Sequence, residues 1–412
     1  MTDPIRALHF ADTHIGMENY GRTDPQTGLS SRVVDFLRCM DEMIEYARQN
    51  EVDLTIFAGD AFKTRNPNPT YQREFAWRVR DLSQLAPIVL LVGNHDLPPT
   101  VLKASSIEIY ETLAVPNVYV AGEYDVEVIE TRRGPVAVGT APYPIRARLM
   151  QETPTAGLTI AETDALLQQE LTKILDDLAQ KADQYDMPRL LTGHFTVSGA
   201  LVGSERSIML GRDIEVLLSS LADPRWDYVA LGHIHKHQAL TQGPPPVVYS
   251  GSIERIDFGE EGDRKGFVWV ELQRGNADWQ FVPLDRCRRF VTLKADLRKS
   301  QNPTQDALDL IKKHHLRDAV VRLLLDVTPE TEARLNEGTI RDALKEAGVN
   351  HLAGIRKQVE QPIRARLGGS PEGLTHAELL EKYLISKEVP PERRKELLEL
   401  AEQIFDSTTP QE

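Results

Sequence analysis

Cysteine is nearly absent from this chain: 412 residues hold two, Cys39 and Cys287. Far apart in sequence and without metal-ligand spacing, they read as ordinary thiols rather than a disulfide, which fits a reducing cytoplasm. Also missing is any apolar run of membrane-spanning length, and any charged segment followed by a leader-like apolar stretch, so neither a membrane span nor a secretory leader is expected. No internal repeat or low-complexity tract occurs. Positive charge is the minority, with 48 Lys and Arg against 62 Asp and Glu and a formal net charge of -14. That balance weighs against a nucleic-acid binder. Net charge, however, governs solubility and steering rather than a local site, and bound cations would neutralise several acids.

What is present is a folded composition, 41% hydrophobic and 27% charged, long enough for two or three domains. Five apolar runs end in polar residues: LHFADTH (8–14), LTIFAGD (54–60), IVLLVGNHD (88–96), RLLTGHF (189–195) and YVALGHIH (228–235). Helical periodicity predicts helices over 31–50, 71–85 and 161–181. Strands alternating with helices predict an α/β fold of βαβ units, a sheet covered by helices. From 247 to 281 the pattern turns to short strands. Residues 290–297, 304–314, 319–327, 330–346 and 351–359 read as strand, helix, strand, helix and strand, a small separate α/β domain. The expected division is 1–285, 286–361, a Gly- and Pro-broken linker at 362–374 containing GGSPEG, and a helical segment at 375–412 opened by the capping box Thr375-His-Ala-Glu378.

Polar residues at the carboxyl ends of strands are where open α/β sheets place ligand chemistry. Were the five strands neighbours in one sheet, Asp12, His14, Asp60, Asn94, His194, His233 and His235 would surround two cations, with a carboxylate such as Asp60 able to bridge them. Mixed imidazole and carboxylate donors suit manganese, iron or zinc better than calcium. Such a pair, roughly 3.5–4 Å apart, activates water and clamps a phosphoryl group. His95 is then free to protonate a leaving alkoxide or stabilise charge on phosphorus oxygens, with Asp96 orienting its ring. His9 lies within the first strand and reads as structural, His237 as a surface residue. His314, His315, His351 and His376 read as solvated or structural.

The order D-x-H, G-D, G-N-H-D, G-H, G-H-x-H resembles that of the calcineurin-like metallophosphoesterases. TDPQTGLSSR (23–32), APYP (141–144) and YSGSIERIDFGEEGDRKGF (249–267) narrow the resemblance to the SbcD-type nuclease subunits, across nearly the whole chain. The resemblance implies a β-sandwich flanked by helices, a small capping domain and a C-terminal helical segment. It implies one metal on Asp12, His14, Asp60 and His235 and a second on Asp60, Asn94, His194 and His233. Asp60 would bridge the two, His95 would be the catalytic histidine, and manganese the usual metal. One position departs: some relatives carry histidine three residues after the Gly-Asp aspartate, associated with exonuclease action, where this chain has Lys63. The balance of exo- and endonuclease activity is therefore open.

The same resemblance implies DNA across the metal site. Arg22, Arg32, Lys63, Arg65 and Arg206 are candidate phosphate contacts, positioning a duplex without reading bases; Arg286, Arg288 and Arg289 mark the domain junction. In the tail, Leu379, Leu380, Tyr383 and Leu384 form one apolar face, and Leu397, Leu398, Ala401, Ile404 and Phe405 another. These faces can pack on each other or the body of the protein, or dock on a partner. The resemblance favours a partner, the coiled-coil base of an SbcC-like ATPase, and adds a homodimer and a cytoplasmic, nucleoid-associated location. The expected function is a manganese-dependent DNA nuclease subunit cutting ends or hairpins. Two alternatives stand beside it: a small-molecule or nucleotide phosphodiesterase with the same metals, and a non-catalytic scaffold for the ATPase.

Overall fold

The computed structural model describes residues 3–97, 103–150, 158–203, 213–360, 375–387 and 389–408. Arg206 and the 362–374 linker lie outside them, as do the side chains of Ile404 and Phe405.

Two six-stranded sheets make the α/β body. In the first, spatial order runs Asn276–Pro283, Gly266–Gln273, Ile5–Phe10, Leu54–Phe57, Ile88–Leu91 and Val118–Ala121. The last four of these are parallel to one another, whereas Gly266–Gln273 runs antiparallel to Ile5–Phe10. In the second, the order is Gln238–Ala239, Val247–Tyr249, Tyr228–Gly232, Arg189–His194, Gly134–Ala141 and Asp125–Thr131. Its central four are again parallel. Leu54, Ile56, Val89 and Leu91 of one sheet share a buried cluster with Val138, Leu190, Tyr228 and Ala230 of the other. The sheets therefore stack face to face, and alternate residues of each strand supply the opposite, helix-covered faces.

Helices Ser31–Gln49 and Pro69–Ser83 cover the first sheet, burying Phe36, Met40, Met43, Phe75 and Val79 with Leu8, Phe10 and Phe57. Each starts at a side-chain cap, Ser30 and Asn68 respectively, which satisfies an otherwise orphaned helix N–H. Helix Ile160–Ala182 covers the second sheet with Leu167, Leu171, Leu175 and Leu178, and opens with a Thr159–Glu162 capping box.

The chain divides into two compact units. The first is Met1–Leu293 with His315–Arg322 and Leu344–Gly354; the second is Lys294–His314 with Leu323–Ala343 and Ile355–Glu412. Strands Phe290–Asp296, Val320–Val327 and His351–Val359 form a three-stranded sheet in that order. The single helix expected over 330–346 is two, Pro329–Ala333 and Glu337–Glu346. The break falls at Asn336, whose side chain accepts from Thr339 N and so caps a new helix. In the tail, helices His376–Ser386 and Pro391–Thr408 pack on one another. Leu384 is buried, Leu379, Leu380, Leu397 and Leu398 are half-buried, and Tyr383 is half exposed.

Candidate metal centre

All five polar strand ends meet, although the strands are not neighbours in one sheet. Asp12 and His14 follow Ile5–Phe10, Asp60 follows Leu54–Phe57 and Asn94 follows Ile88–Leu91, all in the first sheet. His194 closes Arg189–His194, and His233 and His235 follow Tyr228–Gly232, in the second. The parallel strands of both sheets deliver their carboxyl ends to one edge of the sandwich.

The backbone there is unusual. Asp12 (φ 52°), His14 (φ 38°), Asp60 (φ 64°) and His233 (φ 92°) all occupy left-handed conformations. Non-glycine residues avoid that region, and such strain persists where surrounding structure holds it, commonly at functional sites. The glycines of the motifs serve close approach. A Cβ on Gly93 would lie 2.2 Å from Asp60 Oδ1, and one on Gly232 would lie 2.1 Å from Ala58 O.

Asp60 is central. Its Oδ2 lies 3.4 Å from His194 Nε2 and 3.8 Å from His14 Nε2, while its Oδ1 accepts the His95 N–H at 2.8 Å. His14 Nε2 and His235 Nε2 face each other at 3.0 Å. Asn94 Oδ1 stands 3.1 Å from both His194 Nε2 and His233 Nδ1. Three of the four imidazoles have their outer nitrogen held by an acceptor: His194 Nδ1 by Ala58 O (2.6 Å), His233 Nε2 by Asp213 (2.7 Å) and His235 Nδ1 by Glu260 (2.9 Å). An outer N–H bond of this kind fixes the tautomer and turns the other nitrogen's lone pair inward, the arrangement of metal-bound histidines. Asp213 and Glu260 were not foreseen from the sequence.

The donor set fits divalent cations. Asp12, His14 and His235 present ligand atoms within 4.8 Å of one another, as do Asp12, Asp60 and His194. With Glu260 holding the His235 Nδ1–H, His235 Nε2 is a buried lone pair whose neighbour is another imidazole nitrogen. A proton can bridge the two nitrogens, and a cation in the same place would take both lone pairs. The electrostatics agree. Burial works against charge on Asp60, yet His194, His95 and His14 hold its carboxyl well below the usual range. Burial likewise opposes charge on His194, but Asp60 raises it to about 9. His14 is held well below the ordinary value, chiefly by burial.

Some expected placements change. Asp96 does not orient His95: its buried carboxylate accepts Asp60 N, Ala61 N and Gly93 N at 2.9–3.0 Å and the Ser106 hydroxyl. Asp96 thus secures the turns carrying Asp60 and Asn94, and burial with the Asp60 charge pushes its carboxyl up to about 7. The His95 ring is held instead by Lys63 O, 2.7 Å from Nδ1. Arg32 leaves the set of DNA contacts, because it is fully buried against Asp35 at 2.8 Å and the Arg255 carbonyl. Arg22 and Arg65 are exposed and Lys63 half-buried. His237 is no surface residue, for it stacks on Phe281 (centroids 4.1 Å apart) and reaches Tyr249 O. His9 is fully buried, 3.1 Å from the Tyr228 hydroxyl and 3.2 Å from Leu231 O, and burial lowers it to about 3.

The calcineurin-like phosphoesterase family profile matches residues 5–237, the span that carries all seven residues of the strand-end cluster. The chain belongs to the calcineurin-like phosphoesterases. Within this metallophosphoesterase family it is 30% identical over 299 residues to the SbcD subunit of nuclease SbcCD from Bacillus subtilis, covering 71% of this chain and 72% of that protein. It is also 30% identical over 286 residues to the SbcD subunit of nuclease SbcCD from Escherichia coli K12, covering 66% of each. The phosphoesterase is thus a homologue of the SbcD-type nuclease subunits. No helix among its described residues is long and apolar enough to cross a membrane.

Proposed function

We propose that this phosphoesterase is a divalent-cation-dependent DNA nuclease, the SbcD-like subunit of an SbcCD-like assembly. The observation that carries the reading is the strand-end cluster, whose imidazoles are turned inward by Asp213, Glu260 and Ala58 O. Asp12, His14, Asp60 and His235 would hold one cation, and Asp60, Asn94, His194 and His233 a second, with manganese the ion the donor set and the family favour. When bound, the cations supply Lewis-acid activation of water and neutralise phosphodiester charge.

The remaining steps belong to the chain's own groups. Asp60 takes the His95 N–H, so the loop carrying His95 is tied to the cluster. Lys63 O fixes His95 Nδ1–H, leaving Nε2 to carry the mobile proton. The ring sits edge-on to His14, centroids 4.9 Å apart, at the half-buried rim of the cluster. From there a protonated His95 donates to the departing oxygen of a scissile phosphodiester. Arg22, Lys63 and Arg65 supply phosphate contacts beside the site, steering DNA locally on a chain of net negative charge. The half-exposed Tyr383 and its neighbours on the tail helices offer the face for an SbcC-like ATPase, and a second copy completes a homodimer.

The test is cleavage of a labelled DNA hairpin and single-stranded DNA with manganese, with and without chelator, beside bis-p-nitrophenyl phosphate. Chelator-sensitive cutting of DNA is expected. His95→Asn should lower kcat by about 10²- to 10⁴-fold while bound cation is unchanged. Turnover of the small diester alone, with DNA untouched even in the presence of the ATPase, would assign the site to small-molecule phosphodiesters.

A further inference from the structure

The two cysteines, 248 positions apart in sequence, meet: Cys39 Sγ lies 3.6 Å from Cys287 Sγ. Cys39 is fully buried on helix Ser31–Gln49, and Cys287 is half-buried in the segment after strand Asn276–Pro283. The pair is held from both sides along one helix face. One turn earlier, Asp35 pairs with Arg288. One turn later, the Glu42 carboxylate accepts Asp285 N and Arg286 N at 2.9 and 3.0 Å. A disulfide bond is about 2.05 Å long, so the sulfurs have roughly 1.5 Å to close, within reach of small side-chain rotations.

Glu254 Oε2 stands 3.8 Å from Cys39 Sγ, giving a cluster of cation-ligand types. Its carboxylate is already committed, accepting Arg255 N and Arg288 N at 2.6 Å each, with the Arg32 guanidinium 3.8 Å away. Those partners leave little for a metal, so the cluster reads as a dithiol.

Cys287 also opens onto a cavity of about 570 Å³ walled by Arg38, Arg286, Arg288, Arg289 and Arg317, with Asp285 and Asp318 as its two acids. Arg38, Arg286, Arg289 and Arg317 are exposed. A cationic wall draws anions. The hydrogen bond to Cys287 and burial hold the Cys39 thiol well above its ordinary value, so attack starts at Cys287.

We propose that Cys287 and Cys39 form a reversible intramolecular disulfide, made by exchange with an anionic low-molecular-weight disulfide of the glutathione class admitted through the arginine-walled cavity. The Cys287 thiolate attacks one sulfur of the small disulfide, forming a mixed disulfide and releasing one small thiolate. Cys39 then gives up its proton and attacks Cys287 Sγ, releasing the second. Two protein thiols are oxidised and one small disulfide is reduced to two small thiols.

The full chain, reduced and then incubated with oxidised glutathione, tests this by intact mass and by peptide mapping under non-reducing conditions. Expected are loss of two hydrogens, a cross-linked Cys39–Cys287 peptide, and reversal by dithiothreitol. Cys39→Ser should stop at one glutathione on Cys287. Arg286→Glu with Arg317→Glu should slow the reaction with oxidised glutathione roughly tenfold yet leave that with neutral hydroxyethyl disulfide unchanged. A stable glutathione adduct on the wild-type chain, or two thiols that remain unreactive, would overturn the proposal.

Discussion

Strand Ile5–Phe10 and the residues just after it obey different rules. Within the strand, Ala7 and Leu8 are completely buried among carbon. His9, polar but enclosed, is satisfied by Tyr228 and Leu231 O and kept neutral. Three and five residues past His9, Asp12 and His14 leave the extended region for left-handed backbone and turn polar groups toward other polar groups in a buried place. The strand body lowers free energy by removing apolar surface from water, a gain that tolerates substitution of similar shape. The strand end holds like-with-like polar atoms at short range, at a cost in strain and desolvation that bound cations would offset. Stability therefore belongs to the strand bodies and chemistry to their ends, and substitutions should separate the two.

The largest separation should come from the residues outside the ligands. Asp213→Asn removes the charge that fixes His233 Nε2 without altering any of the seven residues proposed to hold cations. Burial opposes that charge, but the His233 hydrogen bond wins and brings Asp213 to about 2. Cation affinity, read by calorimetric titration, should fall about 10- to 100-fold, with the thermal midpoint little changed. An unchanged affinity would make Asp213 a bystander.

Leu54→Ala, between the two sheets, should do the reverse. It should cost roughly 2–5 kcal/mol of stability by leaving a cavity, with cation stoichiometry and turnover per folded molecule intact. Urea denaturation beside an activity assay decides it.

The smallest effect concerns His9. Its folded-state value of about 3 lies below the unfolded value near 6.5. Between those values the unfolded chain binds a proton that the folded chain refuses, so stability falls as pH drops below about 6.5 and levels off near 3. From pH 7 to pH 5 this group should remove roughly 2 kcal/mol. His9→Gln should flatten that part of the profile, and a slope unaltered by the substitution would locate the acid sensitivity elsewhere.

Much of the phosphoesterase body was readable, because an apolar run that stops abruptly at polar residues is a local signal. The five strand ends needed no long-range information, and the three long helices followed from periodicity. The hairpin of Asp125–Thr131 and Gly134–Ala141 was missed, although its alternating D-V-E-V-I-E-T and following Gly134 carry a strand signal. Asp213 stayed hidden in a loop and Glu260 in the short 3-10 helix Phe258–Glu260, 20 and 25 residues from the imidazoles they hold, with no apolar run to mark them. Adjacency misled at Asp96, whose turn sends the carboxylate under Asp60 and Ala61 rather than toward His95. Charge misled at Arg32, which the helix face carries inward to Asp35 and the Arg255 carbonyl. The cysteine pair had no sequence signal, since contacts across 248 residues exist only in the fold.

The proposal underlying the rest is that the strand ends would hold two cations, with Asp60 shared between them. The direct measurement is the number of manganese ions bound per chain after metal stripping, by calorimetric titration with elemental analysis of the dialysed protein. The account predicts two for the wild type and no intact pair for Asp60→Asn, with the fold retained by circular dichroism. A wild-type chain that binds none, or an Asp60→Asn chain that still binds two, would contradict it.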